Sequence, residues 1–155
     1  MISPVVTERE EGSRGEEGPV ILFREGLVGC ASWRRFVLKE DPEGGPIKLL
    51  QCLDEPEVGL LIVDPCLIVA DYEVDLSETD ARQLELEESS EANIYCTLTV
   101  HQNPVRVTAN LLGPLVVNTK AALGKQLVLA SSNYSVHHPV ALAEDAEQGG
   151  QPVRQ

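Results

Sequence analysis

Ile94-Tyr95-Cys96-Thr97-Leu98-Thr99-Val100-His101 decides the fold class. Ile94, Cys96, Leu98 and Val100 alternate with Tyr95, Thr97, Thr99 and His101. A period of two is the side-chain repeat of a β-strand. The signal recurs on both sides. Downstream, His101-Gln102-Asn103-Pro104 is a turn and Val105-Arg106-Val107-Thr108 alternates again. Leu115 to Asn118 resumes the pattern, Ala121-Ala122-Leu123-Gly124 turns, and Lys125 to Ala130 is a further strand. Upstream, Val58 to Val63 is a continuous apolar run of strand length, expected to be buried on both faces. Ile47 to Leu53, Trp33 to Lys39, Val20 to Phe23 and Pro4 to Thr7 are further strands. Turn residues separate them, most clearly Asp41-Pro42-Glu43-Gly44-Gly45-Pro46 and Asp54-Glu55-Pro56-Glu57. Gly26 and Gly29 bracket Leu27-Val28, which predicts a turn with backbone at positive φ. Eight or nine short strands, with no strand–helix–strand alternation, indicate a closed barrel or a sandwich and argue against a parallel α/β sheet.

One helix is predicted near residues 77–84. Ser77-Glu78-Thr79-Asp80 fits the capping-box pattern, with Asp in place of the preferred Glu. This helix sits inside the most acidic part of the chain. From Asp71 to Glu91 there are nine acids (Asp71, Glu73, Asp75, Glu78, Asp80, Glu85, Glu87, Glu88, Glu91) and one base, Arg82. Such a run is commonly a solvated face. It is also what a docking surface for a basic partner requires, because opposite charge speeds encounter and rejects wrong partners.

The whole chain shares that sign. Twelve Lys and Arg stand against 25 Asp and Glu in 155 residues, a formal charge of −13. Phosphate binding needs clustered cations, so direct nucleic-acid binding is not expected. An anionic membrane surface is excluded for the same reason. The N-terminus has no positive n-region or long apolar stretch, so no signal peptide is expected and the predicted location is cytoplasmic. Hydrophobic residues make up 43% and aromatics 4%, which predicts a core of mainly Val, Leu and Ile. Cys30, Cys52, Cys66 and Cys96 each lie in or beside an apolar segment and are expected to be free, buried and small. The expected organisation is one domain over residues 1–143, with an acidic loop over 8–17 and a disordered acidic tail over 144–155.

No motif for catalysis stands out. His137 and His138 are adjacent, and neighbours in a strand point to opposite faces, so a shared metal ion is disfavoured against a hydrogen-bonding role. There is no G-x-S-x-G, no cysteine in an evidently basic setting, and no P-loop glycine upstream of Gly124-Lys125. No catalytic residue, metal or cofactor is expected.

Several segments, taken in order, resemble the FliW family. They are Ile21-Leu22-Phe23-Arg24-Glu25-Gly26-Leu27-Val28-Gly29, Leu50-Gln51-Cys52-Leu53-Asp54-Glu55-Pro56-Glu57, Val63-Asp64-Pro65 and Asp71-Tyr72-Glu73. Thr108-Ala109-Asn110-Leu111-Leu112-Gly113-Pro114, Asn118, Gly124-Lys125-Gln126 and Tyr134-Ser135-Val136-His137-His138-Pro139 complete the series. The resemblance covers about residues 19–140. It implies an all-β, compact antiparallel β-barrel-like single domain. It implies a flagellar assembly factor that binds flagellin and antagonises the translational regulator CsrA, coupling flagellin level to flagellin translation. The free protein is expected to be a monomer. A flagellin chaperone without regulator binding, or a small β-barrel enzyme or cofactor binder, are the alternatives.

The chain also departs from the family pattern. Val28 and Cys30 stand where the family usually has proline and phenylalanine, Cys66, Ile68 and Val69 follow the Asp-Pro where it usually has phenylalanines, and Ala70 replaces a proline. A core location is preferred for these positions, with smaller residues repacking it. Asp64, Asp71, Tyr72, Asn110, Asn118, Tyr134 and His138 match family polar positions and are candidate partner contacts, together with Glu85, Glu87 and Glu88 of the acidic run. Asn110 and Asn118 also suit turn or strand-end hydrogen bonding. Tyr134 and His138 also suit capping of buried backbone.

Overall fold

The computed structural model describes residues 5–6, 18–88 and 91–141. The alternating stretch forms β6 (Asn93–His101), whose nine residues serve three neighbours. Its start pairs with β8 (Leu115–Asn118), with Tyr95 opposite Leu115. Its middle pairs with β5 (Val58–Val63), with Ile62 opposite Thr97. Its end pairs with β7 (Arg106–Ala109), with Thr99 opposite Thr108. From β5 the sheet continues through β4 (Lys48–Cys52), β3 (Arg35–Lys39) and β2 (Val20–Phe23) to β9 (Leu123–Gln126) and back to β8. These seven strands close a barrel, which removes free edges from the ring. Every pairing in it is antiparallel except β2 with β9, where Leu22 faces Leu123 and Phe23 faces Gly124. Outside the ring, β1 (Val5–Val6) extends β5 and β10 (His138–Val140) extends β7.

The barrel interior is filled. Ile21, Phe23, Phe36, Leu50, Leu60, Ile62, Tyr95 and Leu115 form its core. Both phenylalanines of the chain lie there, edge to face at 5.2 Å, within the expected aliphatic surroundings. The opposite face of the wall is buried too. Val63, Cys96, Leu98, Ala109 and Leu111 pack under Tyr72, and Val116, Leu123 and Leu127 pack under Leu84. The alternation of β6 therefore does not divide core from solvent, since Tyr95 to Thr99 are buried without a break.

Several expectations need correction. The turn placed at Ala121 to Gly124 and the strand placed at Lys125 to Ala130 resolve into β9, which starts at Leu123 and ends at Gln126. Gly124 belongs to the strand because the Phe23 ring lies over it, where a Cβ would stand 2.4 Å from the ring carbon Cζ. Beyond β9, Leu127 and Leu129 still donate to the Pro114 and Leu112 carbonyls, so the ladder continues without strand geometry. β10 was not foreseen as a separate strand; it is three residues long and contains Pro139. Val58 to Val63 was expected to be buried on both faces, and is so except at Val58 and Leu61. Of the strand expected over Pro4 to Thr7, only Val5–Val6 is described, and the loop 8–17 and tail 144–155 lie outside the described residues. The predicted glycine turn is present, with φ of +71° at Gly26 and +82° at Gly29 and a bridge between Leu27 and Cys30. Cys52 and Cys96 are buried as expected, but Cys30 is half-buried and Cys66 is exposed. The positions that depart from the family pattern are not fully buried core: Val28, Cys66 and Ala70 are exposed, while half-buried Cys30 packs against the barrel core and Ile68 and Val69 against the cluster around Tyr72.

Candidate protein-binding surface

The acidic run divides into two pieces with different supports. Residues 71–76 form an extended strap over the outer wall of the barrel. Tyr72, Val74 and Leu76 turn inward and Asp71, Glu73 and Asp75 are exposed. This is period-two alternation without a strand, and it was legible as Asp-Tyr-Glu-Val-Asp-Leu but hidden by reading the run only for charge. Tyr72 is its anchor. Its hydroxyl donates to the Leu111 carbonyl at 2.6 Å, its ring rests 4.5 Å from that of Tyr134, and burial pushes its phenol up. Tyr134 is half-buried and its hydroxyl accepts from the Glu73 N–H at 3.2 Å.

Ser77 then caps α1 (Glu78–Gln83), its hydroxyl accepting from the Asp80 N–H at 3.0 Å, as the capping pattern predicts. The helix has no buried residue, so its position depends on its ends. Leu84 plugs into the cluster of Val116, Leu123 and Leu127. Asn118, 2% exposed, donates to the Leu84 carbonyl at 2.8 Å and to the Glu85 carbonyl at 3.3 Å. Its oxygen accepts from Lys120 and Ala121, so one amide ties the helix end to the β8–β9 turn. Ion pairs surround this clamp: Lys125 reaches Asp80 at 3.1 Å and Glu25 at 3.8 Å, Arg24 reaches Glu85 at 3.6 Å, and Lys120 reaches Glu91 at 3.4 Å. Burial opposes ionisation of Asp80, but hydrogen bonds from Lys125 and Ser77 outweigh it and hold its carboxyl below the ordinary range. Each exposed pair contributes at most about 1 kcal/mol. Three of the nine acids of the run, Asp80, Glu85 and Glu91, thus pair with Lys125, Arg24 and Lys120 from outside it, and the surface stays negative.

The candidate contacts fall into three groups. Asp64, Asp71, Glu85, Glu87 and Glu88 are exposed. Asp64 also caps the 3-10 turn Pro65–Leu67, accepting from the Cys66 N–H at 2.9 Å, and lines a cleft of about 490 Å³ with Tyr72, Lys48 and Leu67. Glu85 has a φ of +57° just past the helix, and the Glu87 N–H donates to Glu91 at 2.9 Å. Asn110, Tyr134 and His138 are half-buried, and His138 sits in β10 opposite Ala109. Tyr72 and Asn118 lie inside, where their hydrogen bonds shape the surface from beneath.

Among the described residues no three His, Cys, Asp or Glu side chains are placed to hold a metal ion. Burial pushes the Cys96 thiol up to about 12. Partial burial and the charges of Asp64 and Asp71 also raise Cys66, the exposed thiol, which weakens it as a nucleophile. No helix among the described residues is long and apolar enough to cross a membrane.

Comparison with known proteins gives this surface a context. The family model of the FliW protein matches residues 5–140. The flagellar assembly factor FliW of Clostridium beijerinckii is 34% identical over 125 residues, covering 81% of this chain and 89% of that protein. That of Bacillus subtilis is 32% identical over 125 residues, covering 81% and 87%. A crystal structure of the flagellar assembly factor FliW superposes with a TM-score of 0.75 at 29% identity, covering 88% of this chain and 96% of that one. With the family model spanning nearly the whole described chain and the same barrel in a solved relative, this chain belongs to the FliW family of flagellar assembly factors.

Proposed function

We propose that this protein binds flagellin in the cytoplasm and, when flagellin is scarce, binds and antagonises the translational regulator CsrA. Accumulating flagellin then competes for it and frees CsrA to repress flagellin translation. Membership of the FliW family across residues 5–140 carries this reading. The acidic strap and helix support it, since an antagonist of an RNA-binding protein gains from negative charge when meeting a basic surface. A filled barrel interior supports binding over catalysis. Neither His137 nor His138 lines the clefts at Asp64, Gln83, Lys39, Val28 and Glu73, whereas the enzyme alternative needs a pocket at that end. Exposed Asp64, Asp71, Glu85, Glu87 and Glu88 are the proposed first contacts, with Asn110, Tyr134 and His138 at the margin.

Isothermal titration with CsrA and with flagellin from the same organism tests this. Binding to both, with flagellin displacing CsrA, is expected. Binding to flagellin alone would single out the chaperone reading, and binding to neither would refute both. Changing Glu85, Glu87 and Glu88 together to Lys should weaken CsrA binding roughly tenfold at low ionic strength and flatten its salt dependence. Unchanged affinity at low salt would remove the acidic surface from the mechanism. The melting temperature serves as a control, because Glu85→Lys faces Arg24.

A further inference from the structure

A second cleft, separate from the acidic helix, has a simpler chemistry. Val28, Leu112, Val128 and Val136 wall a space of about 260 Å³. Val28 is 62% exposed and Val128 is 55% exposed, a large apolar area to leave in water at one place. The polar groups of the floor are engaged with the walls. Gln126 accepts from the Val28 N–H at 2.7 Å and donates to the Gly113 carbonyl at 2.9 Å. The Asn110 oxygen accepts from Leu112 at 3.1 Å and from Gly113 at 2.8 Å. A Cβ at Gly113 would stand 2.9 Å from the Gln126 amide nitrogen, so glycine there keeps the bracing in place. A braced floor and apolar walls suit an aliphatic side chain, and the volume lies below the ~300 Å³ at which small-molecule sites begin.

Val128 is also a wall of a neighbouring groove of about 330 Å³, whose other lining includes Glu73, Asp75, Ser131, Ser132 and Tyr134. An apolar seat and a carboxylate-lined groove therefore share one residue. We propose that the two together hold a short linear segment of a partner protein, an aliphatic side chain seated between Val28 and Val128 and a nearby Lys or Arg against Glu73 and Asp75. The sign of the groove selects the partner's charge, and the cleft supplies the burial that makes the contact specific. The inference rests on the protein-binding role proposed above and adds the place and the pattern of the bound segment.

Selection of a phage-displayed library of random peptides of about twelve residues on the full chain tests it. Enrichment of an aliphatic residue followed within a few positions by Lys or Arg is expected. Synthetic versions of the selected peptides should bind Val28→Glu and Val128→Glu at least tenfold more weakly, both positions being exposed enough for the fold to survive. Glu73→Lys with Asp75→Lys should weaken them and reduce their salt dependence. No enriched pattern, or equal binding to Val128→Glu, overturns the proposal. So does a concentration-dependent dimer in sedimentation that Val128→Glu abolishes, since a second copy then fills the cleft. Titrating CsrA and flagellin against the same variants separates the two readings. Selected peptides that bind while neither protein does would leave the cleft standing and refute the partners. Both proteins binding parent and variants alike, with no peptide selected, would refute the cleft and leave the partners standing.

Discussion

Removing the Asn118 amide should unfasten the acidic helix from the barrel. The side chain makes four hydrogen bonds at 2.8 to 3.3 Å. In Asn118→Ala the Leu84 carbonyl loses its 2.8 Å donor in a place where Leu84 is 1% exposed. An orphaned buried carbonyl costs about 1–3 kcal/mol. Lys120 and Ala121 lose an acceptor as well, but water reaches that turn, so about 1 kcal/mol more is expected there. The sum, about 2–4 kcal/mol, corresponds to a fall in melting temperature of roughly 5–15 °C for a chain of this size. Amides of Glu85 and Leu86, which donate to Arg82 and Ala81, should exchange faster with solvent. Asn118→Asp sharpens the test, because it keeps the acceptor but sets a carboxylate against two carbonyls. That carboxyl would have a raised pKa, so the variant should lose most stability at neutral pH and recover part of it on acidification. A melting temperature for Asn118→Ala within about 2 °C of the parent would refute the clamp.

Three further outcomes follow from geometry. Thr97 is 1% exposed inside the barrel and its hydroxyl has no hydrogen-bond partner among the described residues, so Thr97→Val should raise stability by about 1–2 kcal/mol, and an unchanged or lower melting temperature counts against this. Gly124→Ala drives a methyl group into the Phe23 ring and should cost about 1–3 kcal/mol; combining it with Phe23→Leu should cost less than the sum of the two, and strict additivity in denaturant titrations would contradict the contact. Backbone N–H groups of Arg35 and Arg34, then the Arg35 guanidinium, hold the Asp54 carboxyl below its ordinary range. Its contribution is full above about pH 4 and is lost as pH falls through the depressed folded value, so Asp54→Asn should flatten the acid limb of the stability profile.

Local features were the legible ones. Val58–Val63 coincides with the strand read from its apolar run and Leu115–Asn118 with the one where the pattern resumes, and the Ser77 cap marks the helix start. What stayed hidden depends on contacts distant in sequence. Gly124 looks like a turn residue until the Phe23 ring is placed over it. Nothing in Val20–Phe23 names Leu123–Gln126 as its parallel partner, so barrel and sandwich remained open. Polar residues were the hardest to place. Tyr72 and Asn118 carry groups that suit a surface, yet both are buried because each satisfies carbonyls more than thirty residues away. Charge was read correctly as a run, but its division into a strap and a clamped helix required the barrel beneath it.

The parallel pair that closes the barrel also sets an order on how the chain is made. β2 precedes its partner β9 by about a hundred residues. Until residues 123–126 leave the ribosome, β2 has one unpaired edge, and the Phe23 ring lacks the backbone it rests on. β3, β4 and β5 can pair in sequence while this edge waits. A nascent chain therefore carries an open, apolar sheet while those hundred residues are made, the kind of edge that recruits other strands. Slow elongation late in the message would lengthen that exposure, so the yield of folded protein should depend on translation speed ahead of β9 more than on speed within β3 to β5.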